Sequence, residues 1–253
     1  MGIAQGLTEF LPVSSSGHLV LLQKIFNIKE NTLIFDVLLH VATLVPVLII
    51  FRKKILNLIF KPFQKYNFYI ILSTIPAAAV AFFFGSFIES LFTDPKLLWL
   101  AFFLTSILIL FADNISKKNF NEKINFKKSL MIGLIQAIAI IPGISRSGST
   151  LSSALLCKMK KKEAIEFVFL ISIPAIVGAF ILQAKKICLL EKYSLIFNTP
   201  IILGFLCAML SGYLSIKFMI NLIHSHKLKL FSYYLFIISF LISIDQFYFK
   251  IFF

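Results

Sequence analysis

Long apolar runs alternate with short polar or basic segments along this 253-residue chain. A helix that crosses the hydrocarbon core of a bilayer needs about 20 predominantly apolar residues. Six runs approach that length and are predicted to be membrane-spanning helices: 33–51, 67–84, 97–111, 163–183, 199–219 and 230–248. The pattern therefore predicts an all-α polytopic membrane protein, with residues 1–253 forming a single integral membrane domain.

Two further apolar segments, 1–27 and 129–156, are each interrupted by a turn that contains proline and serine. The pieces on either side of the turn are too short to cross a bilayer. Each segment is therefore predicted to form a re-entrant hairpin of two half-helices. Non-helical backbone at membrane depth is tolerated only where protein shields it or where it lines a wet cavity, so the two turns are expected to face such a cavity.

The two hairpin segments are similar in sequence at a constant offset of 131 residues. The identities at this offset pair Gly2 with Gly133, Gln5 with Gln136, Ser14 with Ser145, Ser16 with Ser147 and Gly17 with Gly148. They indicate a duplication whose halves, approximately 1–113 and 129–248, each contain one hairpin and three spans. Because three is odd, the second half enters the membrane in the opposite orientation. The prediction is an inverted-topology repeat whose discontinuous helices meet near the bilayer midplane.

Composition and charge support a membrane location. The chain is 59% hydrophobic and has a mean hydropathy of +0.93, whereas soluble domains are about 45–50% apolar. A net charge of +14 could indicate a nucleic-acid partner, but most of the 25 lysines and arginines lie in short loops between apolar runs. Those loops, at 52–66, 114–128, 158–162 and 217–229, are predicted to face the cytoplasm. The expected surroundings are membrane lipids, and no nucleic acid is expected as a partner.

The turn of the second hairpin sets an arginine among hydroxyl groups. Arg146 is flanked by Ser145 and Ser147, with Gly143 and Thr150 on either side. A charged side chain at bilayer depth costs at least about 2.5 kcal/mol, so Arg146 is expected to face a polar pocket with an anionic occupant. Its planar guanidinium suits phosphate oxygens. The free backbone N–H groups at the start of the next half-helix add to such an anion site.

The turn of the first hairpin places an acid and an imidazole beside a run of serines. Ser14, Ser15 and Ser16 precede a half-helix, with Glu9 before them and His18 after them. Hydroxyl donors at a helix N-terminus suit a phosphate or diphosphate group. A serine that attacks phosphorus must lose a proton, which a histidine or a glutamate can accept. The combination therefore indicates hydrolysis rather than binding alone.

These residues also resemble the motifs of a known family. Gln5 and Glu9, followed by Pro-Val-Ser-Ser-x-Gly-His at 12–18 and by Pro-Gly-x-Ser-Arg-Ser-x-x-Thr at 142–150, are similar to the undecaprenyl-diphosphatase family, the BacA/UppP bacitracin resistance proteins. The similarity extends over nearly the whole chain. It implies a multi-pass hydrolase of the bacterial inner membrane whose site faces the periplasm. Such an enzyme converts undecaprenyl diphosphate to undecaprenyl phosphate and so recycles the lipid carrier of peptidoglycan synthesis.

The resemblance implies roles for individual residues. Glu9, Ser15, His18 and Arg146 match the catalytic positions. The other polar positions of both turns are expected to bind the polyprenyl diphosphate lipid: Gln5, Ser14, Ser16, Gly143, Ser145, Ser147 and Thr150. The hypothesised mechanism is attack by Ser15, with proton transfer by Glu9 and His18 and charge stabilisation by Arg146. Direct attack by water is an alternative, and a homodimer is left open.

Gln5 departs from the pattern of the family, because many members carry a second glutamate at this position. Glutamine cannot act as a base, and it leaves Glu9 as the only carboxylate of the motif. The sequence establishes no cofactor. If a divalent cation, Mg²⁺ or Ca²⁺, takes part, Glu9 is its expected ligand.

Other interpretations of the same residues stay open at this stage. Arg146 could be a structural cation paired with Asp36 or Glu9, the serines could be helix caps, and Glu9 and His18 could form a buried hydrogen-bonded pair. Asp36 and His40, one helical turn apart in the first span, are interpreted as supporting groups, and tyrosines near span ends as interfacial anchors. The alternative function is a transporter or flippase of an anionic lipid phosphate, because many transporters are built from inverted repeats with broken helices.

Overall fold

The computed structural model describes residues 1–28, 33–118, 120–189, 198–224 and 227–252. The first half of the chain contains α1 (Gly2–Phe10), α2 (Ser15–Ile25), α3 (Leu33–Ile50), α4 (Arg52–Phe60), α5 (Lys65–Thr93) and α6 (Leu98–Ser116). The second half contains α7 (Phe126–Ile138), α8 (Arg146–Leu156), α9 (Lys161–Leu189), α10 (Thr199–His224) and α11 (Lys229–Ile244). A π-helical turn, Asp245–Phe249, follows α11.

Several of these helices are long and apolar enough to cross a membrane. Within the described ranges there are five such helices, α5, α6, α9, α10 and α11. A sixth span results if α3 and α4 are counted together, although the two are bent from each other by 84°. Both hairpin segments are helical on either side of their turns, as α1 and α2 and as α7 and α8. The predicted all-α membrane architecture is therefore confirmed.

Two segments differ in detail from the predicted pattern. Residues 52–60, expected in a basic loop, form α4, which carries Arg52 at its start and has Ile59 and Phe60 exposed. A helix with basic and exposed apolar residues is typical of a segment that lies at the membrane interface. The predicted span 67–84 is part of the longer helix α5, which has non-helical backbone at Phe84 (φ −117°, ψ 17°). Helix α5 thus extends beyond the apolar run, whereas α4 is a separate helix that turns away from α3 by 84°.

Polar side chains are concentrated inside the bundle, whereas its outside is apolar. Phe82, Phe83 and Phe240 are among the many large apolar side chains that are exposed. By contrast, Gln5 and Ser73 are fully buried. An apolar exterior suits hydrocarbon, and buried polar groups need hydrogen-bond partners inside the protein. The interior is therefore where the functional chemistry is expected.

Each hairpin packs against a span from the other half of the chain. Helix α1 packs along α10, and α7 packs along α5. Both packings depend on a glycine that allows two backbones to approach closely. A Cβ atom on Gly2 would lie 2.3 Å from the carbonyl oxygen of Gly204, and a Cβ atom on Gly133 would lie 2.8 Å from the Cα atom of Ser73. These two contacts are related by the same offset of 131 residues that relates the hairpins.

Helices α6 and α11 are held together by buried serines. The Ser106 hydroxyl donates to the carbonyl oxygen of Ser232 at 2.9 Å, and the Ser232 hydroxyl donates to the carbonyl oxygen of Ser106 at 2.8 Å. Farther along α11, the Ser239 hydroxyl donates to the carbonyl oxygen of Trp99 at 2.6 Å. Hydroxyl groups commonly hold helices together in apolar surroundings. Because α6 also packs against α8, these bonds fix α11 relative to the second hairpin.

Candidate active site

Both hairpin turns form where the sequence prevents a helix from continuing. Pro12 and Pro142 lack the N–H group that the next turn of a helix would require. One residue in each turn has a positive φ angle, Ser14 at 68° and Gly143 at 91°. Glycine adopts this conformation without steric cost, whereas a serine adopts it only when its surroundings hold it there. The first turn is therefore the more constrained of the two.

Serine side chains begin the second half-helix of each hairpin. The Ser14 hydroxyl accepts a hydrogen bond from the backbone N–H of Gly17 at 3.2 Å, at the start of α2. The Ser145 hydroxyl accepts one from the backbone N–H of Gly148 at 3.0 Å, at the start of α8. These are N-cap interactions, which satisfy one of the free donors at a helix start. Ser14 and Ser145 thus have a structural role at equivalent positions.

The two turns are in direct contact. The Ser147 hydroxyl of the second hairpin donates to the carbonyl oxygen of Leu11 in the first at 2.9 Å. In the other direction, the backbone N–H of Gly143 donates to the Ser16 hydroxyl at 3.5 Å. Gly17 lets the backbones come together, because a Cβ atom there would lie 3.0 Å from the Cα atom of Gly143. The positive N-terminal ends of α2 and α8 are consequently brought to one region of the protein.

Glu9 is the centre of a hydrogen-bonded network that joins the hairpins. The Arg146 guanidinium donates to its Oε1 atom. Its Oε2 atom accepts from the Ser15 hydroxyl at 2.5 Å and from the Gln5 amide at 2.9 Å, and it lies 3.1 Å from Nδ1 of His40. Glu9 is only 5% exposed. A buried carboxylate is stable in such a place only when charged and polar partners surround it.

His18 has a different set of partners. Its Nδ1 atom lies 2.8 Å from the carbonyl oxygen of Ser14, and its Nε2 atom lies 2.8 Å from the hydroxyl of Tyr234 on α11. The Tyr234 ring is stacked on the imidazole, with 5.7 Å between centroids, and the edge of Phe102 packs on it at 5.5 Å. The imidazole is therefore held by hydrogen bonds at both nitrogens and by aromatic contacts.

The hydroxyl groups of the second turn bond mainly to their own hairpin. The Thr150 hydroxyl donates to the carbonyl oxygen of Arg146 at 2.7 Å, and the hydroxyls of Ser145 and Ser147 lie 3.3 Å apart. The backbone N–H of Ser145 donates to the Thr105 hydroxyl on α6 at 3.2 Å. These bonds fix the backbone that carries Arg146.

A small cavity adjoins this network. Its polar side includes Glu9, Arg146 and Thr150, and its apolar side includes Val168 and Phe169 of α9. The cavity has room for about one water molecule, so it marks a boundary between polar and apolar side chains beside the network and is too small to hold a lipid head group.

The structure brings most of the predicted catalytic residues together. Glu9, Ser15 and Arg146 form one network across the two hairpins, and His18 lies in the same first turn but bonds to Ser14 and Tyr234. Arg146 contacts Glu9, one of the two structural partners considered for it. The other, Asp36, accepts a hydrogen bond from Gln23 at 2.8 Å.

Two residues reach the site from outside the hairpins. His40 was interpreted as a supporting group, and its Nδ1 atom lies 3.1 Å from Glu9 and 2.8 Å from the Gln5 amide. Tyr234 was counted among the interfacial tyrosines, yet it bonds to His18. The signal for His40 was its position one turn after Asp36 in the first span. The sequence contains no comparable signal for Tyr234, because 216 residues separate it from His18.

The site was also tested for a divalent cation. Among the described residues, no group of three histidine, cysteine, aspartate or glutamate side chains is arranged to hold a metal ion. The Oε1 atom of Gln5 is buried without a hydrogen-bond partner, whereas the amide nitrogen of the same side chain bonds to Glu9. Mg²⁺ is usually held by one or two carboxylates together with phosphate and water oxygens. Glu9, with the Gln5 amide turned so that its oxygen faces the same side, would fit a cation that takes its other ligands from a phosphate and from water.

Comparison with known proteins gives extensive matches. Residues 1–241 match the protein family described as bacitracin resistance protein BacA. The chain is 45% identical over 251 residues to the undecaprenyl-diphosphatase of Carboxydothermus hydrogenoformans, covering 97% of this chain and 95% of that protein. It is 41% identical over 237 residues to undecaprenyl-diphosphatase 4 of Bacillus thuringiensis, covering 92% and 90%. It is 40% identical over 249 residues to the undecaprenyl-diphosphatase of Methanococcus maripaludis, covering 96% of each.

Proposed function

The chain belongs to the bacitracin resistance protein BacA family, and from this premise we propose that it hydrolyses undecaprenyl diphosphate to undecaprenyl phosphate and inorganic phosphate. The three relatives described above are named undecaprenyl-diphosphatases. The lipid product would serve again as the carrier for peptidoglycan and other surface polymers. The observation that best supports this proposal is the network in which Glu9 of the first hairpin bonds to both Ser15 and Arg146.

The terminal phosphate is proposed to bind between the two turns. Backbone N–H groups at the N-termini of α2 and α8 favour an anion there. Arg146 offers a planar pair of donors for two phosphate oxygens. This guanidinium is bonded to Glu9, so a bound phosphate would share or take over that contact. The prenyl tail would extend into the bilayer along the apolar surface of the helices.

Ser15 is the proposed nucleophile, because its hydroxyl already donates to Glu9 at 2.5 Å. As a bond forms between Ser15 Oγ and the terminal phosphorus, the hydroxyl proton passes to Glu9. The bond from this phosphorus to the bridging oxygen breaks, and undecaprenyl phosphate leaves. Arg146 and the helix N-termini stabilise the charge on the other phosphate oxygens. Water then displaces Ser15 from the phosphorus, inorganic phosphate is released, and the serine recovers its proton.

Direct attack by water is the alternative chemistry at the same site. A Ser15→Ala variant separates the two routes, because it removes the nucleophile and leaves Glu9 and Arg146 in place. Loss of a phosphate-labelled enzyme intermediate together with loss of turnover would support the serine route. Near-normal turnover by this variant would favour water as the nucleophile.

A divalent cation is proposed to assist, with Glu9 and the Gln5 amide oxygen as its protein ligands. Such an ion would neutralise charge on the diphosphate oxygens when bound. Phosphate release in the presence of a chelator, followed by addition of Mg²⁺ or Ca²⁺, tests this proposal. Equal rates of phosphate release with and without the chelator would contradict a role for the cation.

The protein is a multi-pass membrane protein, and we further propose that it lies in the bacterial inner membrane with its site open to the periplasm. The concentration of lysine and arginine in the loops at 52–66, 114–128, 158–162 and 217–229 supports a cytoplasmic location for those loops. The matching contacts of α1 with α10 and of α7 with α5 support two halves of inverted topology. Cysteine labelling from each side of the membrane tests both proposals.

A phosphate-release assay in detergent tests the proposed function against a transporter or flippase. Detergent micelles have no second compartment, so transport alone would yield no phosphate. Purified protein is expected to release inorganic phosphate from undecaprenyl diphosphate, and an Arg146→Ala variant is expected to release almost none. An intact, folded protein that releases no phosphate would contradict the proposal.

A further inference from the structure

Both ring nitrogens of His18 are engaged in hydrogen bonds. Nδ1 lies 2.8 Å from the carbonyl oxygen of Ser14, and a carbonyl oxygen can only accept, so Nδ1 carries a hydrogen. In a neutral imidazole the other nitrogen, Nε2, then has a lone pair. The Tyr234 hydroxyl lies 2.8 Å from Nε2 and must donate its hydrogen to that lone pair. Tyr234 therefore occupies the only basic atom of neutral His18.

This arrangement limits how His18 can exchange protons. A proton that reaches Nε2 must come from the Tyr234 hydroxyl as long as the hydrogen bond between them persists. We propose that Tyr234 positions His18 and relays protons between its Nε2 atom and the water at the site. This inference rests on the proposed function, because it assigns a further residue to the same hydrolysis.

The proposed relay balances protons at every step. When water attacks the phosphorus, the Tyr234 oxygen accepts a proton from that water directly or through a second water, and the tyrosine passes its own proton to Nε2 of His18. The tyrosine stays neutral, and the imidazole becomes positively charged. The reverse transfer returns the proton to water, so His18 and Tyr234 begin the next turnover unchanged. No oxidant, reductant or other reactant is needed.

His18 is more deeply buried than its partner. It is 9% exposed, whereas Tyr234 is 43% exposed. A buried imidazole exchanges protons slowly unless a polar group is hydrogen-bonded to it. The Tyr234 hydroxyl is the polar group that bonds directly to Nε2.

The helix that carries Tyr234 is firmly placed. Reciprocal bonds between Ser106 and Ser232 hold α11 against α6 two residues before the tyrosine. The Tyr234 ring is stacked on the His18 ring with an angle of 8° between their planes, and Phe102 packs against the imidazole as well. Because the bundle fixes both rings, the hydrogen bond does not depend on a flexible side chain.

Tyr234→Phe is the first test, because this change removes the hydroxyl and keeps the ring. Its neighbour Tyr233 is also exposed, at 52%, and has no place in the proposed site, so Tyr233→Phe is the matched control. With undecaprenyl diphosphate in detergent, Tyr234→Phe is expected to lower kcat by about 10- to 100-fold and to change KM less than about threefold. Tyr233→Phe is expected to match the wild type. A Tyr234→Phe enzyme that keeps at least half of the wild-type kcat would overturn the relay.

Rescue by imidazole separates a relay from a purely structural role. Tyr234→Ala opens space next to His18, and added imidazole can then exchange protons with Nε2. The expected result is a concentration-dependent recovery of kcat in Tyr234→Ala, with no response in the wild type or in Tyr233→Phe. Thermal unfolding and gel filtration of each variant in the same detergent show whether it is folded. A folded Tyr234→Ala protein whose kcat does not respond to imidazole would contradict the relay.

Phosphate release by the wild-type protein distinguishes failure of the proposed function from failure of the relay. If the wild type releases no phosphate, the proposed function itself fails. If the wild type releases phosphate and the Tyr234 variants behave like Tyr233→Phe, only the relay fails.

Discussion

The two hairpins, α1 with α2 and α7 with α8, can be compared residue by residue at their offset of 131. Ser14 and Ser145 make the same N-cap interaction, each with the glycine three residues later. Ser16 and Ser147 both bond to the backbone of the opposite turn. The residues that the hairpins share therefore build the turns and hold them together.

The hairpins differ where the chemistry is proposed to occur. Glu9 corresponds to Ile140, Ser15 to Arg146 and His18 to Ser149. In the proposed mechanism the first hairpin supplies the nucleophile and the proton acceptors, and the second supplies the cation. On this proposal neither hairpin alone forms a complete site, although both have the same turn backbone. Changes at Glu9, Ser15 and Arg146 should abolish turnover, whereas changes at the shared turn residues Ser14 and Ser145 should mainly reduce stability.

Ser15→Ala is expected to have the largest effect on turnover. Removing a nucleophile that acts as a unit with its base lowers kcat by at least about 10⁴-fold. The thermal midpoint should change little, because Ser15 is not the cap of α2. Ser243→Ala, at a half-buried serine near the end of α11 whose hydroxyl bonds to its own helix, is the control and should retain full phosphate release. A comparable loss of phosphate release in both variants would show that the loss comes from disturbed folding rather than from removal of the nucleophile.

Arg146→Ala is expected to lower kcat/KM by about 10³-fold. Arginine contacts to a transferring phosphoryl group typically raise kcat by about 10³- to 10⁵-fold. Arg146→Lys keeps the charge but loses the planar fork, so it should recover only part of this loss. The matched control is Arg52→Ala on α4, which removes the other arginine of the chain. A normal rate for Arg146→Ala would mean that the second hairpin does not contribute its cation.

Adding a methyl group at Gly2 or Gly133 is expected to destabilise the bundle without removing a catalytic group. A Cβ atom would meet backbone of α10 or α5 at 2.8 Å or less, and overpacking of this kind costs about 1–3 kcal/mol. Thermal unfolding in detergent measures the effect. Gly85→Ala is the control, because nothing lies within 4 Å of its added Cβ. An unchanged midpoint for both Gly2→Ala and Gly133→Ala would refute the close packing of the hairpins.

The smallest effect is expected for the two N-caps. Ser14→Ala and Ser145→Ala should each cost about 1 kcal/mol of stability, the usual value of a lost cap. Both thermal midpoints should fall, and the fall for Ser14→Ala should be at least as large, because Ser14 has a positive φ angle of 68° that alanine rarely adopts. A much larger loss of turnover for one of them would show that its hydroxyl also contacts the substrate, as the sequence alone suggested.

The sequence was sufficient to predict the all-α membrane architecture and the contact between the polar residues of the two turns. The proline and serine turns, together with their offset of 131 residues, predicted both broken hairpins, because such turns cannot continue a helix. The same segments contain Glu9, Ser15 and Arg146, so the residues that meet in the structure could be named from local motifs.

Other features depend on contacts between distant parts of the chain. Tyr234 and His40 reach the site from α11 and α3, and only helix packing determines which of their faces points inward. The helical state of α4 also escaped prediction, because its apolar residues are too few to form a span. Local sequence patterns do not contain this information.

The central claim is that Glu9 and Arg146 act together in one site built from both hairpins. A double-mutant cycle with Glu9→Gln, Arg146→Gln and the combined variant, measured by kcat/KM for undecaprenyl diphosphate in detergent, tests it most directly. If the two residues share one site, the kcat/KM of the double variant should be within about threefold of that of the less active single variant. If instead the fold loss in kcat/KM of the double variant equals the product of the two single-variant losses, the two residues act independently, which would contradict the account.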